Sequence, residues 1–135
     1  MADEKYEGCC LCGEVRFEVV GAFESFFLCH CQRCRKRTGS AFAANLFSTT
    51  ATLNWLQGEA KIRTFDVPET RHSGAFCTDC GASMPTVRGP LIKVPAGSLD
   101  SDISIQPNAH IFMGSKACWD DELENVDQYE RYQTP

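Results

Sequence analysis

Apolar residues along this chain recur mainly at every second position, in short runs broken by glycine, proline and polar pairs. Val15, Phe17 and Val19 share one face of residues 14–20, alternating with charged neighbours, which is the pattern of a half-buried strand. That strand follows the turn Leu11-Cys12-Gly13 and is broken by Gly21. Phe26-Phe27-Leu28 predicts a second short strand. Residues 32–38 are good helix formers, enough for a turn or two, and Gly39 supplies the stop. Residues 40–48 are small and apolar and fit either element by pattern. Strand is chosen because residues 53–56 and 61–65 follow as alternating strands joined by the turn-like Gln57-Gly58-Glu59.

Residues 67–70 read as a loop, and Ser73-Gly74-Ala75-Phe76 leads the chain to a further cysteine turn. Two more strands are expected at residues 83–87 and 91–95, separated by Arg88-Gly89-Pro90. Prolines at 85, 90 and 95 place strand ends or edges there. Residues 96–102 and 107–108 are loops, and residues 110–113 make the last strand. From 120 to 135 the chain turns acidic and polar, so one turn of helix around 127–131 and otherwise an extended tail is expected. The result is a mostly β fold of short strands pinned at its loops, one domain over residues 1–135 with its core in about 6–120. No internal repeat divides it.

Composition narrows the function classes. A chain of 135 residues, 43% apolar and 23% charged, suits one soluble globular domain. The amino terminus is charged, with no apolar stretch of signal-peptide type, and no run approaches the roughly 20 apolar residues of a membrane helix. A cytoplasmic protein without membrane contact is expected. Net charge is −5, and the basic residues concentrate only at Arg33, Arg35, Lys36 and Arg37. Nucleic-acid binding needs an extended cationic face, so none is expected.

The cysteines carry the chemistry. Nine are present, an odd count grouped as C-x-C and C-x-x-C, which favours thiolates kept reduced for metal over disulfides. Cys10 and Cys12 with Cys77 and Cys80 offer four thiolates, the complete tetrahedral shell of a structural zinc. Cys29, Cys31 and Cys34 converge as three. Four ligands close a site, whereas three leave a position for water or an incoming thiol. The residues alone leave other readings of the triple set open. A fourth ligand could be His30, His72, His110 or a spare cysteine, although His30, lying between two adjacent ligands, should point elsewhere. Cys31 and Cys34 could also form a redox dithiol. Cys9 and Cys118 read as spare thiols. The cluster Arg35-Lys36-Arg37 is either a solvated helix face or a counter-charge for bound anions. Trp55 and Trp119 read as core or rim.

Three blocks, Gly8-Cys9-Cys10-Leu11-Cys12-Gly13-Glu14-Val15-Arg16-Phe17, Cys29-His30-Cys31-Gln32-Arg33-Cys34-Arg35-Lys36-Arg37-Thr38-Gly39-Ser40 and Phe76-Cys77-Thr78-Asp79-Cys80-Gly81, stand in order with Ala96-Gly97-Ser98-Leu99-Asp100 and His110-Ile111-Phe112. With these the sequence resembles the glutathione-dependent formaldehyde-activating enzyme family, whose domain also occurs in centromere protein V. The resemblance implies an Mss4-like fold of short twisted antiparallel sheets and two zinc ions. Cys10, Cys12, Cys77 and Cys80 would hold the structural ion; Cys29, Cys31 and Cys34 would hold a catalytic one, in part occupied. It implies a carbon-sulfur lyase that adds a glutathione-like thiol to a small aldehyde such as formaldehyde. Arg35, Lys36 and Ser40 are then expected near the developing oxyanion. A zinc-stabilised binding module and a glutathione carrier without turnover are the competing functions.

Overall fold

The computed structural model describes residues 4–133. In chain order its strands are β1 (Lys5–Cys9), β2 (Arg16–Val20), β3 (Ser25–Cys29), β4 (Ala43–Ser48), β5 (Thr52–Gln57) and β6 (Ile62–Asp66). They continue as β7 (Ser73–Cys77), β8 (Ser83–Met84), β9 (Thr86–Arg88), β10 (Leu91–Pro95) and β11 (Ala109–Ile111). The α-helix α1 (Gln32–Thr38) lies between β3 and β4. Three small sheets result, in the orders β1-β2-β5, β11-β3-β4-β10-β9 and β6-β7-β8.

Alternation builds the core as the pattern predicts. Val15, Phe17 and Val19 are fully buried, while Arg16 is exposed. They pack with Tyr6 from β1, Phe26, Leu46, Ile92 and Val94 from the five-stranded sheet, and Ala75, Cys77 and Met84 from the third. One apolar cluster thus joins all three sheets, and burial of such side chains contributes about 1.5–3 kcal/mol each. Cys29, Cys34 and Ala43 form a separate small cluster at the end of the middle sheet.

Several elements differ from expectation, each for a local reason. Residues 83–87 are not one strand, because Pro85 has no N–H to donate. Ser83–Met84 pairs with β7, and after Pro85 the chain crosses to pair Thr86–Arg88 with β10. Residues 53–56 and 61–65 do not pair with each other. β5 pairs with β2, and β6 pairs with β7. Strand β4 begins at Ala43, later than residue 40. The pairing of β11 with β3 is parallel, while the other strand pairs are antiparallel. No helix forms at 127–131, and a single 3-10 turn lies instead at Leu123–Asn125. Residues 122–133 are all exposed, and so short a helix needs an apolar face packed on something.

The redirection at residue 58 is the tightest constraint. Gly58 has φ +74°, and a Cβ placed there would lie 2.2 Å from the Glu14 carbonyl oxygen. Nearby, the Gln57 side-chain amide donates to the carbonyls of Gly13 and Glu14, at 3.3 and 3.1 Å. Gly58→Ala is expected to lose about 1–2 kcal/mol for the left-handed backbone and a further 1–3 kcal/mol or so for the clash. Denaturant unfolding of the metal-replete protein measures this, and a loss within about 0.5 kcal/mol, the scale of a neutral surface change, would contradict it.

Candidate metal centres and the adjoining pocket

Two tight turns bring the first set together. After β1 the Cys10 N–H donates to Val15 O at 3.0 Å and the Gly13 N–H to Cys10 O at 3.2 Å. After β7 the Gly81 N–H donates to Cys77 O at 2.7 Å, with the Cys77 N–H reaching Ala82 O at 3.0 Å. Gly13 and Gly81 both sit at positive φ, +81° and +77°, where glycine closes the loop without a Cβ penalty. The four sulfurs of Cys10, Cys12, Cys77 and Cys80 then lie within 4.8 Å of one another. Cys10 Sγ is 3.6 Å from Cys12 Sγ, and Cys12 Sγ is 3.9 Å from Cys77 Sγ. Those separations are too long for a disulfide. A tetrahedron with metal-sulfur bonds of about 2.3 Å puts its sulfurs about 3.8 Å apart, so the donor set fits zinc.

Electrostatics favour the same conclusion. The Ala82 backbone N–H brings the Cys80 thiol down to about 6, helped by the Cys12 N–H and the adjoining thiols. The Glu14 N–H favours a Cys12 thiolate too, but desolvation and the sulfurs of Cys10, Cys80 and Cys77 push that thiol up to about 12. One sulfur ionises readily and its neighbour resists. A divalent cation removes that conflict.

The second set is built on α1. Cys29 ends β3, and Cys31 caps the helix, its sulfur accepting the Cys34 N–H at 3.4 Å. Cys34 is buried inside the first turn. These three sulfurs also lie within 4.8 Å of one another, and among the described residues no fourth His, Cys, Asp or Glu completes the set. Burial works against a charge on Cys31, but the Cys34 N–H, the Cys34 and Cys29 sulfurs and the Arg33 N–H outweigh it and lower its pKa. Burial, then the sulfurs of Cys29 and Cys31, drive Cys34 well above the usual thiol range. Burial likewise raises Cys29.

The three cysteines stand in the wall of a cavity of about 300 Å³. Phe27, Phe47, Leu91, Ile111 and Phe112 give it an apolar side, and Arg33, Arg71, Arg88 and Lys93 a cationic one. No carboxylate is in the lining, although the protein as a whole carries −5. The Lys93 ammonium donates to Ser73 O at 2.6 Å, and the Arg88 guanidinium to Arg71 O at 3.0 Å. His72 also lines the cavity. Burial, then Lys93, Arg37 and Arg33, lowers its pKa to about 4, so its imidazole is neutral at pH 7.

The sequence model of the family described as glutathione-dependent formaldehyde-activating enzyme matches residues 5–115. A Halomonas elongata protein named "Putative glutathione-dependent formaldehyde-activating enzyme" is 34% identical over 134 residues, covering 90% of this chain and 83% of the relative. The chain belongs to the glutathione-dependent formaldehyde-activating enzyme family. A crystal structure of a Rhodobacter sphaeroides protein has the same fold, with a TM-score of 0.56 at 21% identity, over 77% of this chain and 98% of that one.

In this family member the helix decides which basic residues reach the cavity. Arg33 lines the cavity, and Arg37, four residues on along the same side of α1, lies outside the lining but near enough to His72 and Lys93 to lower their pKa values. Arg35, Lys36 and Ser40 are not brought to the three-cysteine cavity. They line a separate depression with Gln32 and Trp119, and the Arg35 guanidinium donates to Ser115 O at 3.0 Å. Arg71, Arg88 and Lys93 carried no local signal in the sequence, because strand pairing gathers them from separate segments, and His72, a candidate fourth ligand by residue type, lines the cavity without joining the three sulfurs. Cys9 donates its thiol hydrogen to Asp100 Oδ2 at 3.2 Å, and Cys118 is exposed. Neither joins a cluster. His30 turns away from the three sulfurs toward His110 and Asp120.

Metal analysis is expected to find two zinc ions per chain, with Cys77→Ser unfolding the protein and Cys31→Ser retaining one ion in a folded chain. Structural zinc in small peptides contributes about 10–16 kcal/mol at neutral pH, which is why the first loss is fatal. A folded, metal-free Cys77→Ser protein would contradict the assignment.

Proposed function

We propose that this chain is a zinc-dependent enzyme of carbon-sulfur lyase type that joins an anionic thiol of glutathione class to a small aldehyde such as formaldehyde. The observation that carries this reading is the juxtaposition of three convergent thiols, with no fourth protein ligand among the described residues, and a cavity lined by Arg33, Arg71, Arg88 and Lys93. In the reaction a sulfur-carbon bond forms, the carbonyl π bond opens, and the thiol's proton ends on oxygen.

Cys29, Cys31 and Cys34 are the proposed ligands of the working ion, and Cys10, Cys12, Cys77 and Cys80 those of the structural one. A zinc ion held by three thiolates with an open position supplies thiol deprotonation at neutral pH, where a free thiol of pKa about 8.5 is mostly protonated. The protein's own groups do the rest. The cationic wall pairs with the thiol's carboxylates by charge-assisted hydrogen bonds, and Phe27, Phe47 and Phe112 exclude water from its peptide-like stem. The carboxylates then fix the sulfur beside the three cysteines, so part of the entropy of bringing two reactants together is met in the binding step. Residues 6–120 are proposed to act as one unit. The cytoplasm, where thiolates stay reduced, is the proposed location.

Exchange NMR of the thiol-aldehyde equilibrium tests the reading. The wild type should accelerate adduct formation with glutathione, and Cys31→Ser should not. Lys93→Ala should raise KM for glutathione about tenfold or more, since a hydrogen bond to a charged group contributes about 1.5–3 kcal/mol. It should leave KM for uncharged 2-mercaptoethanol unchanged. Equal KM values for the two thiols on the wild type would contradict the role given to the cations, and glutathione binding without any acceleration would favour a carrier.

The depressed His72 pKa carries a separate expectation. An ordinary histidine gains a positive charge as pH falls through 6.5, which would tighten anion binding. With its pKa near 4, His72 stays neutral, so the affinity for S-methylglutathione, which has no thiol to titrate, should be flat from pH 7.5 to 5.5 by calorimetry. A clear strengthening across that range would contradict it.

A further inference from the structure

Three groups remain that this chemistry does not use: His30, His110 and Asp120. His30 lies between two of the proposed ligands and is 1% exposed. Its Nε2 is 2.9 Å from His110 Nδ1 in a hydrogen bond, and its Nδ1 is 2.9 Å from Asp120 Oδ2. The carboxylate contact is close without full hydrogen-bond alignment. In the His30–His110 bond one ring nitrogen donates and the other accepts, as the tautomers require. Both ring nitrogens of a buried histidine are therefore met by groups 80 and 90 residues further along the chain.

The same distal segment grips the site at further points. β11 runs parallel to β3, with Ile111 opposite Cys29. The His30 N–H donates to Ile111 O at 2.9 Å. Phe112 then takes a left-handed backbone, φ +58°, a conformation rare for an aromatic residue and sustained only where its surroundings enforce it. That bend turns the chain into the 3-10 turn Met113–Ser115, where Ser115 O receives Arg35, while Phe112 lines the cavity. Ala117, 1% exposed, anchors the next turn, closed by the Asp120 N–H on Ala117 O at 3.0 Å.

We propose that residues 109–120 are a clasp that sets the geometry of the three-cysteine site, with the chain Asp120, His30, His110 as its lock. This rests on the reading of Cys29, Cys31 and Cys34 as metal ligands. The ring is hydrogen-bonded at Nε2 and faces the Asp120 carboxylate at Nδ1, so the backbone on either side of it, which carries Cys29 and Cys31, is held in register. Asp120 and His110 are positioning residues, acting through His30 and touching no reactant.

Cobalt-substituted and zinc-loaded proteins test the clasp. In Asp120→Ala and His110→Ala, affinity at the three-cysteine site should fall 10–100-fold, the usual effect of removing a group that orients metal ligands. The visible band of cobalt in that site should shift. Metal in the four-cysteine site should keep both its affinity and its spectrum. Asp120→Asn, which preserves an oxygen to face Nδ1, should restore most of the affinity. His110 is exposed, so its replacement spares the core and serves if Asp120→Ala fails to fold. Three-cysteine affinity within about twofold of wild type in a folded His110→Ala protein would overturn the proposal, as would parallel weakening of both metal sites. A wild-type protein that binds a single ion would instead bring down the metal reading itself, and the clasp with it.

Discussion

Four sulfurs from two turns meet here across 65 residues of chain, with Cys12 and Cys77 only 3.9 Å apart. That convergence is the constraint on which the other contacts rest. One turn ends a strand of the first sheet and the other ends a strand of the third, so whatever holds the sulfurs together also holds those two sheets on the shared core. Bare thiols would not. Their pKa values are pushed in opposite directions within the cluster. The binding energy of a structural zinc, about 10–16 kcal/mol, matches the whole net stability of a typical domain, about 5–15 kcal/mol. Fold and metal are therefore one equilibrium in this account.

The second cysteine cluster is organised differently, with three converging sulfurs in place of four. It sits outside the main core, in the wall of a cavity whose lining, among the described residues, holds four cationic side chains and no carboxylate. Among the described residues, Arg88 is the one cation of the lining in an ion pair, with Asp66 at 3.5 Å, and both groups are exposed. Burial lowers the pKa values of Lys93 and His72, and the neighbouring positive charges, Arg37 and Arg88 for Lys93 and Lys93, Arg37 and Arg33 for His72, lower them further. Such an arrangement costs stability, which the proposed anionic thiol would offset on binding.

Much of this was legible along the chain, and the rest was not, for physical reasons. The two cysteine sets follow from spacing, because C-x-C and C-x-x-C turns are local. The helix behind Cys31 follows from its formers and from the Gly39 stop, which indeed takes φ +67°. Strand faces follow from alternation. The cationic wall did not, since Arg71, Arg88 and Lys93 become neighbours only when β9 and β10 pair and the loop before β7 folds over them. The Arg35-Lys36-Arg37 run is adjacent in sequence, yet a 3.6-residue period splits it between different sides of the helix. Asp120 read as part of an acidic surface stretch, whereas its side chain is 13% exposed against His30. Pro85 was legible as a strand end but not as the point where the chain changes sheets.

The central claim is that one sulfur shell is complete and the other is one ligand short. X-ray absorption at the zinc edge of the fully loaded protein addresses it directly, because sulfur and light-atom neighbours differ in distance from the metal, about 2.3 against 2.0–2.1 Å. The account predicts a mean shell between three and four sulfurs with a light-atom remainder, converting to four sulfurs when glutathione is added. A shell of four sulfurs before any thiol is added, or a light-atom remainder that glutathione fails to displace, would contradict it.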